Sequence, residues 1–487
     1  MHNQPDILLI MPDQMRGDCL SLAGHPVVRT PVLDEVGGQG AHFTRAYSAC
    51  PSCIPARRVL LTGQCPATGG MVGFRAAPVK SPTLPQLLRD GGYATRLAGR
   101  HMHQEPYGEP YGYEEQVLGS CYVPDDDYAR FLDRHAPHVG GIRGVVTSFN
   151  GWHARPWPLP EDLHPTAWVS AQARRLLAAA PASQPLFLTA SYYAPHPPLV
   201  PPAWYLDYYL RQPLPAAAHG AWVDWERLPA AGAPVDAHRV RLEGEALRLA
   251  QAGYFGLIHQ LDDQLYWLAE EFRHHARAAG RPWLIVVTSD HGEMLGDHGY
   301  FRKCEPYEGS ARIPLLIQGS PELGLRPGLV SRQPVGLEDV MPTLLDAAGL
   351  ACPPRADGVS LLPHLRGEAP TVRPWLHAEH SPCYSQDQAF HMLTDGRWKY
   401  IWRPHDGGEQ LFDLDADPRE ERDLAAAPRH GTQACHWRHV LMARLAGRPE
   451  GFTDGRRLLP GRPYPALFAD PARKTAPAGR DRGAVSG

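Results

Sequence analysis

Apolar runs and helical periodicities alternate along most of this chain, a pattern that predicts a largely parallel sheet covered by helices. Ile7-Leu8-Leu9-Ile10 predicts a first buried strand. Residues 84–92 predict a short helix closed by Gly91-Gly92, and a strand follows through Tyr93 and Leu97. Residues 167–180 carry an amphipathic helical pattern and lead into a strand at Leu186-Phe187-Leu188-Thr189. The longest helical periodicity spans 242–279 and is ended by Gly280-Arg281-Pro282. Leu284-Ile285-Val286-Val287-Thr288 is then the clearest buried strand. From about Pro374 the pattern changes: residues 389–402 and 409–414 read as antiparallel strands around a turn at 404–408. The expected division is a main catalytic domain over 1–373, a smaller C-terminal α+β subdomain over 374–454, and a Pro/Arg-rich arm or tail over 455–487.

Composition narrows the class without naming a function. The chain has 487 residues, is 43% hydrophobic and 21% charged, and carries a net charge of -4, ordinary for a globular enzyme. No basic excess points to nucleic acid or a membrane surface. The opening segment lacks a basic n-region, its apolar stretch is broken at once by Pro12 and Asp13, and no later segment is apolar enough to span a bilayer. Nine cysteines, scattered from Cys19 to Cys435, do not form a disulfide framework. The expectation is a reduced, cytoplasmic protein with no nucleic-acid or membrane partner and with homo-oligomerisation left open.

Two acidic positions fall at strand ends. Asp13 follows the first strand, and Asp290-His291 follows the strand ending at Thr288. Ligands of open parallel sheets bind at the carboxyl ends of strands, so these distant positions can meet. Asp13, Gln14, Asp290 and His291 offer mainly oxygen ligands and one imidazole, a set suited to Ca2+, Mn2+ or Mg2+ rather than structural zinc. Taken singly, each Asp is more often a turn or cap residue. Asp297-His298 repeats the pair, but no strand leads directly into it.

The segment Cys53-Ile54-Pro55-Ala56-Arg57-Arg58-Val59-Leu60-Leu61-Thr62-Gly63 is the most specific signal. Pro55 suits the first turn of a helix, which puts Cys53 at a helix N-terminus with Arg57 one turn on. Backbone amides there favour a tetrahedral oxyanion and acidify a thiol. Cys50-Pro51-Ser52-Cys53 also matches a redox C-x-x-C, and an inert buried cysteine is the plain alternative.

The uninterrupted C-x-P-x-R with L-T-G at Cys53 to Gly63 resembles the hallmark of the sulfatase family of the alkaline phosphatase superfamily. Thr30-Pro31-Val32-Leu33-Asp34, the run from Ser289 to Gly299, Lys303, Arg312-Ile313-Pro314, and Trp398-Lys399-Tyr400 with Leu411-Phe412-Asp413-Leu414 resemble other parts of that family. The resemblance implies an alkaline phosphatase-like α/β fold. It also implies oxidation of Cys53 to formylglycine by a formylglycine-generating enzyme, and one divalent metal on Asp13, Gln14, Cys53, Asp290 and His291. Hydrated formylglycine is a gem-diol, and one of its hydroxyls would attack the sulfur of a sulfate ester. Arg57 and Lys303 would balance charge on the sulfuryl oxygens, and His196 or Lys303 would serve the leaving oxygen. Gln14 and His291 stand where many sulfatases have Asp and Asn, and this resembles the branch of choline sulfatases and phosphonate monoester hydrolases. The family's Gly-Lys-x-His segment becomes Gly99-Arg100-His101-Met102-His103. There Arg100 replaces the lysine, His103 is the first equivalent of the histidine, and His101 is the second choice. The alternatives are a phosphonate monoester or phosphodiester hydrolase on the same site, and a binding homologue that keeps the thiol.

Overall fold

The computed structural model describes residues 4–100, 106–121, 123, 125–146, 148–229 and 234–469. Among the described residues fourteen strands run in chain order: β1 Asp6–Asp13, β2 Ala41–Phe43, β3 Ala46–Tyr47, β4 Ala94–Gly99, β5 Glu115–Leu118, β6 Leu186–Pro195, β7 Trp283–Thr288, β8 Leu315–Gly319, β9 Leu329–Ser331, β10 Val335–Gly336, β11 Leu376–His380, β12 Phe390–Thr394, β13 Trp398–Trp402 and β14 Glu409–Asp413. Eight of them form the central sheet in the order β5-β4-β6-β1-β7-β8-β2-β9. All its pairings are parallel except those of β8 with β7 and β2, so the α/β expectation of a mostly parallel sheet flanked by helices holds.

The period of two along β1 explains how one strand serves two cores. Leu8 and Ile10 face the helices Pro31–Gln39, Pro165–Ala178 and Gly244–Ala278. Ile7, Leu9 and Met11 face the helices Cys53–Thr62, Leu84–Asp90 and Val340–Ala347. β1, β6 and β7 are buried along their whole lengths, as near-continuous apolar runs in a doubly covered sheet should be.

The C-terminal part differs in detail from the sequence expectation. Residues 389–402 are two strands, β12 and β13, joined by a turn of their own, and the turn at 404–408 links β13 to β14. β11 and the helix Gly431–Leu445 complete this antiparallel unit and were not foreseen. One face of the sheet takes Trp437, Leu441 and Leu445 of that helix, and the other meets Tyr47, Met294 and Tyr307. Lys399 on β13 is fully buried, with Nζ 2.8 Å from Glu308 and 2.7 Å from Glu420. Residues 455–469 return across the surface, where Val72 N donates to Ala466 O and Phe468 N to Gly70 O, each at 2.9 Å. Among the described residues no helix is long and apolar enough to cross a membrane.

Candidate active site

Three elements converge at the carboxyl edge of the sheet. Asp13 is the last residue of β1 itself, where the register against β6 shifts, and Gln14 turns the chain in a left-handed conformation with φ of 68°. Asp290 lies two residues past β7. Cys53 opens the helix Cys53–Thr62 behind Ser52, whose hydroxyl contacts His380 Nε2 at 2.7 Å. Burial pushes His380 down to about 4, and its Nδ1 bonds Ser381 O at 2.5 Å, so the neutral ring accepts from Ser52 at Nε2.

Ligand atoms of Asp13, Cys53, Asp290 and His291 all lie within 4.8 Å of one another, and all four residues are buried. His291 Nδ1 bonds Gly292 O at 2.9 Å, which turns Nε2 inward, 3.2 Å from Cys53 Sγ. A ring held through its other nitrogen is the arrangement of a metal-ligating histidine. Burial would raise the Asp13 carboxyl, but Arg100, Arg57 and His291 hold it far below the usual carboxylate range. Burial and Asp13 push the Cys53 thiol up, while Lys303, His291 and Arg100 outweigh them and leave it below an ordinary thiol.

Arg57, expected to balance charge on sulfuryl oxygens, bonds neighbouring protein groups in this structure. Its Nε donates to Asp290 and its Nη2 to Asp13, both at 2.8 Å, and its Nη1 reaches Ser191 Oγ at 2.9 Å and Arg100 O at 3.0 Å. A planar five-donor fork between two carboxylates acts as a clamp behind them. Arg100 reaches the same Asp13 oxygen at 2.5 Å. Arg57 and Arg100 thus balance the two buried carboxylates, and Lys303 adds a further cation beside Cys53.

Lys303 Nζ lies 2.8 Å from Gln14 Oε1, 2.8 Å from His196 Nε2 and 3.2 Å from Cys53 Sγ. Burial would lower its pKa, yet Cys53 and Asp13 hold it above the usual lysine value. His196 is pushed well below the ordinary histidine range by burial, Lys303 and Arg100. Its Nδ1 bonds Pro197 O at 2.7 Å, so Nε2 accepts from Lys303. Lys303 Nζ donates toward the Cys53 thiol, and His196 accepts from the same ammonium.

His101 and His103 lie outside the described residues. Asp297 pairs with Arg16 at 2.8 Å and His298 accepts from Gly220 N at 3.1 Å, so the repeated Asp-His pair is engaged elsewhere. All nine cysteines are free, and Cys50 has Glu379 and Cys383 as its electrostatic neighbours. A cavity of about 230 Å3 is lined by Arg16, His25, Asp297 and Arg312, and none of the four clustered residues borders it. Sequence reasoning missed Ser52, Ser191, Glu293 and His380. Only Glu293 had a local signal, two residues beyond His291.

The profile of the sulfatase family matches residues 5–350, and that of the C-terminal part of N-sulphoglucosamine sulphohydrolase matches residues 296–444. An arylsulfatase of Clostridium perfringens is 34% identical over 95% of this chain and 99% of its own. A choline-sulfatase of Rhizobium meliloti is 31% identical over 88% of this chain and 83% of its own. The crystal structure of a phosphonate monoester hydrolase of Agrobacterium radiobacter superposes with a TM-score of 0.74 at 26% identity, covering 90% of this chain and 95% of that one.

Proposed function

The chain belongs to the sulfatase family of the alkaline phosphatase superfamily and hydrolyses sulfuric ester bonds, and from that premise we propose that it does so with a formylglycine made from Cys53 and one divalent metal ion. The observation that supports this is the buried set Asp13, Cys53, Asp290 and His291, with Lys303 Nζ 3.2 Å from the thiol. Two carboxylates, an imidazole with its Nε2 turned inward and the Gln14 amide oxygen fit Ca2+, Mn2+ or Mg2+. When bound, such an ion supplies Lewis-acid charge and makes a hydroxyl of the hydrated aldehyde a nucleophile toward sulfur at neutral pH.

The remaining work falls to this chain's own side chains. Arg57 holds Asp13 and Asp290 in register. Arg100 adds positive charge beside Asp13, which would help to balance the charge of a sulfuryl group. Lys303 offers its proton to the departing alcohol oxygen, with His196 and Gln14 fixing its direction. His103, or else His101, is the proposed further contact to the sulfate group, on the resemblance alone. The substrate is a small-molecule sulfate ester, and a formylglycine-generating enzyme is the maturation partner.

A second reading, phosphonate monoester hydrolysis on the same residues, is favoured by the superposition on the Agrobacterium radiobacter enzyme. Protein co-produced with a formylglycine-generating enzyme should react with a hydrazide at Cys53. It should turn over an aryl sulfate faster than an aryl phosphonate monoester, and Cys53→Ala should lose nearly all turnover while staying folded. Wild-type activity in Cys53→Ala would overturn the nucleophile assignment, and faster phosphonate turnover would favour the second reading.

A further inference from the structure

Glu293 is a buried carboxylate two residues past His291, with no part in the mechanism above. One of its oxygens accepts from Leu295 N at 2.9 Å and Arg302 N at 2.5 Å, and the other accepts from Gln14 Nε2. Gln14 is pinned everywhere except at the tip of its side chain. Its N–H donates to Asp290 Oδ1 at 3.0 Å, its carbonyl accepts from Tyr254 OH at 2.7 Å, and its φ of 68° is left-handed. What remains is a choice of amide orientation, which shape alone does not make because the two ends are nearly isosteric.

Partner chemistry makes that choice. A carboxylate only accepts and an ammonium only donates, so Gln14 must turn its NH2 to Glu293 and its oxygen to Lys303. The same carboxylate anchors the loop that carries Lys303. Arg302 and Cys304, on either side of it, have φ of 68° and 70°, conformations that persist only where surrounding contacts overdetermine them. We propose that Glu293 is a positioning residue for the sulfatase reaction, selecting the Gln14 rotamer that presents an oxygen to Lys303 and the metal site, and holding the Lys303 loop in place. The inference rests on the metal-dependent reading above.

Substituting Glu293→Gln yields a defined result. Leu295 N and Arg302 N both require an acceptor, so the new amide keeps its oxygen toward them and turns its NH2 to Gln14. Gln14 must then rotate, which places its own NH2 against the Lys303 ammonium and withdraws its oxygen from the metal site. Outer-shell changes of this kind cost roughly ten- to a hundred-fold in metal affinity or activity. The double variant Gln14→Glu/Glu293→Gln restores the pattern, because a glutamate at 14 accepts from both neighbours.

The test is Mn2+ titration of the unmatured protein by calorimetry, alongside kcat and KM of the matured protein on an aryl sulfate. Expected are a drop of roughly ten-fold or more in Mn2+ affinity and in kcat for Glu293→Gln, with recovery of most of both in the double variant. A Glu293→Gln protein within two-fold of wild type in both measurements overturns the proposal. So does a loss that the double variant fails to repair while both variants melt cooperatively near the wild-type temperature. Mn2+ binding by the unmatured protein is independent of turnover. The swap pattern in that titration would stand even if the wild type cleaved no sulfate ester, and that second result would sink only the reading above.

Discussion

Replacing Lys303 by alanine removes one ammonium from a pocket in which it is only 4% exposed. Nζ sits 2.8 Å from His196 Nε2, 2.8 Å from Gln14 Oε1 and 3.2 Å from Cys53 Sγ, beside the place where a sulfuryl group would meet that nucleophile. Water has little access at that burial, so the contact is worth what a preorganised charged donor is worth at a developing oxyanion. That is on the order of 2–4 kcal/mol, or roughly thirty- to a thousand-fold in kcat. Lys303→Met keeps most of the volume and separates lost charge from an opened cavity. The assay is kcat and KM of matured protein across aryl sulfates whose phenols span a range of acidity. If Lys303 serves the leaving oxygen, the defect shrinks as the phenol becomes more acidic, because a better leaving group needs less protonation. A change confined to KM would make Lys303 a binding residue only. Unchanged kcat and KM would refute the reasoning altogether.

Asp13→Asn and Asp290→Asn should each lose most bound metal and most activity, and chelation should inactivate the enzyme until Ca2+ or Mn2+ is returned; full activity in protein shown by elemental analysis to be metal-free would contradict this. Lys399→Met removes the ammonium that Glu308 and Glu420 share, leaving Glu308 the longer contacts of Arg45 and Arg312 at 3.6 Å, and should cost about 3–5 kcal/mol in urea unfolding; a loss under about 1 kcal/mol would show the shared ammonium to be dispensable. Asp262 accepts from Val32 N at 3.0 Å and Leu33 N at 2.9 Å, and burial pushes its carboxyl up to about 7. A folded-state value above the unfolded value of about 4 favours the protonated native form, so its contribution is full below pH 4 and is lost as pH rises through 7. Asp262→Asn removes that decline, so the Tm of wild type minus that of the variant should fall from pH 5 to pH 8; a constant difference would refute the assignment.

What was legible in the sequence was whatever depends on local pattern. The buried runs at Ile7 to Ile10 and Leu284 to Thr288 located the two strand ends that carry Asp13 and Asp290, and Pro55 marked the helix that Cys53 opens. β11 escaped because His377, Glu379 and His380 interrupt its apolar pattern. Glu379 and His380 find partners in Arg448, Tyr464 and Ser52, remote in sequence, and His377 finds one in His391. The helix Gly431–Leu445 was readable in principle, since Ala434, Trp437, Leu441 and Leu445 recur at helical spacing. The clamp by Arg57 was not readable. Its type and position suggest an anion, but only the folded chain shows that its donors are taken by Asp13, Asp290 and Ser191.

The contact between Ser52 and His380 also sets a clock. Cys53 is only 1% exposed in the folded chain, and the residue that seals the hydroxyl beside it lies 328 positions later. At ribosomal rates of about 5–20 residues per second, that interval lasts roughly 15 to 65 seconds. Until β11 is made and paired, the Cys53 segment lacks its final cover; on the proposed formylglycine reading, the enzyme that oxidises Cys53 meets a closed protein afterwards. The yield of active protein is then decided by competition between synthesis and modification, so slowing translation between the two segments should raise it without altering a single residue.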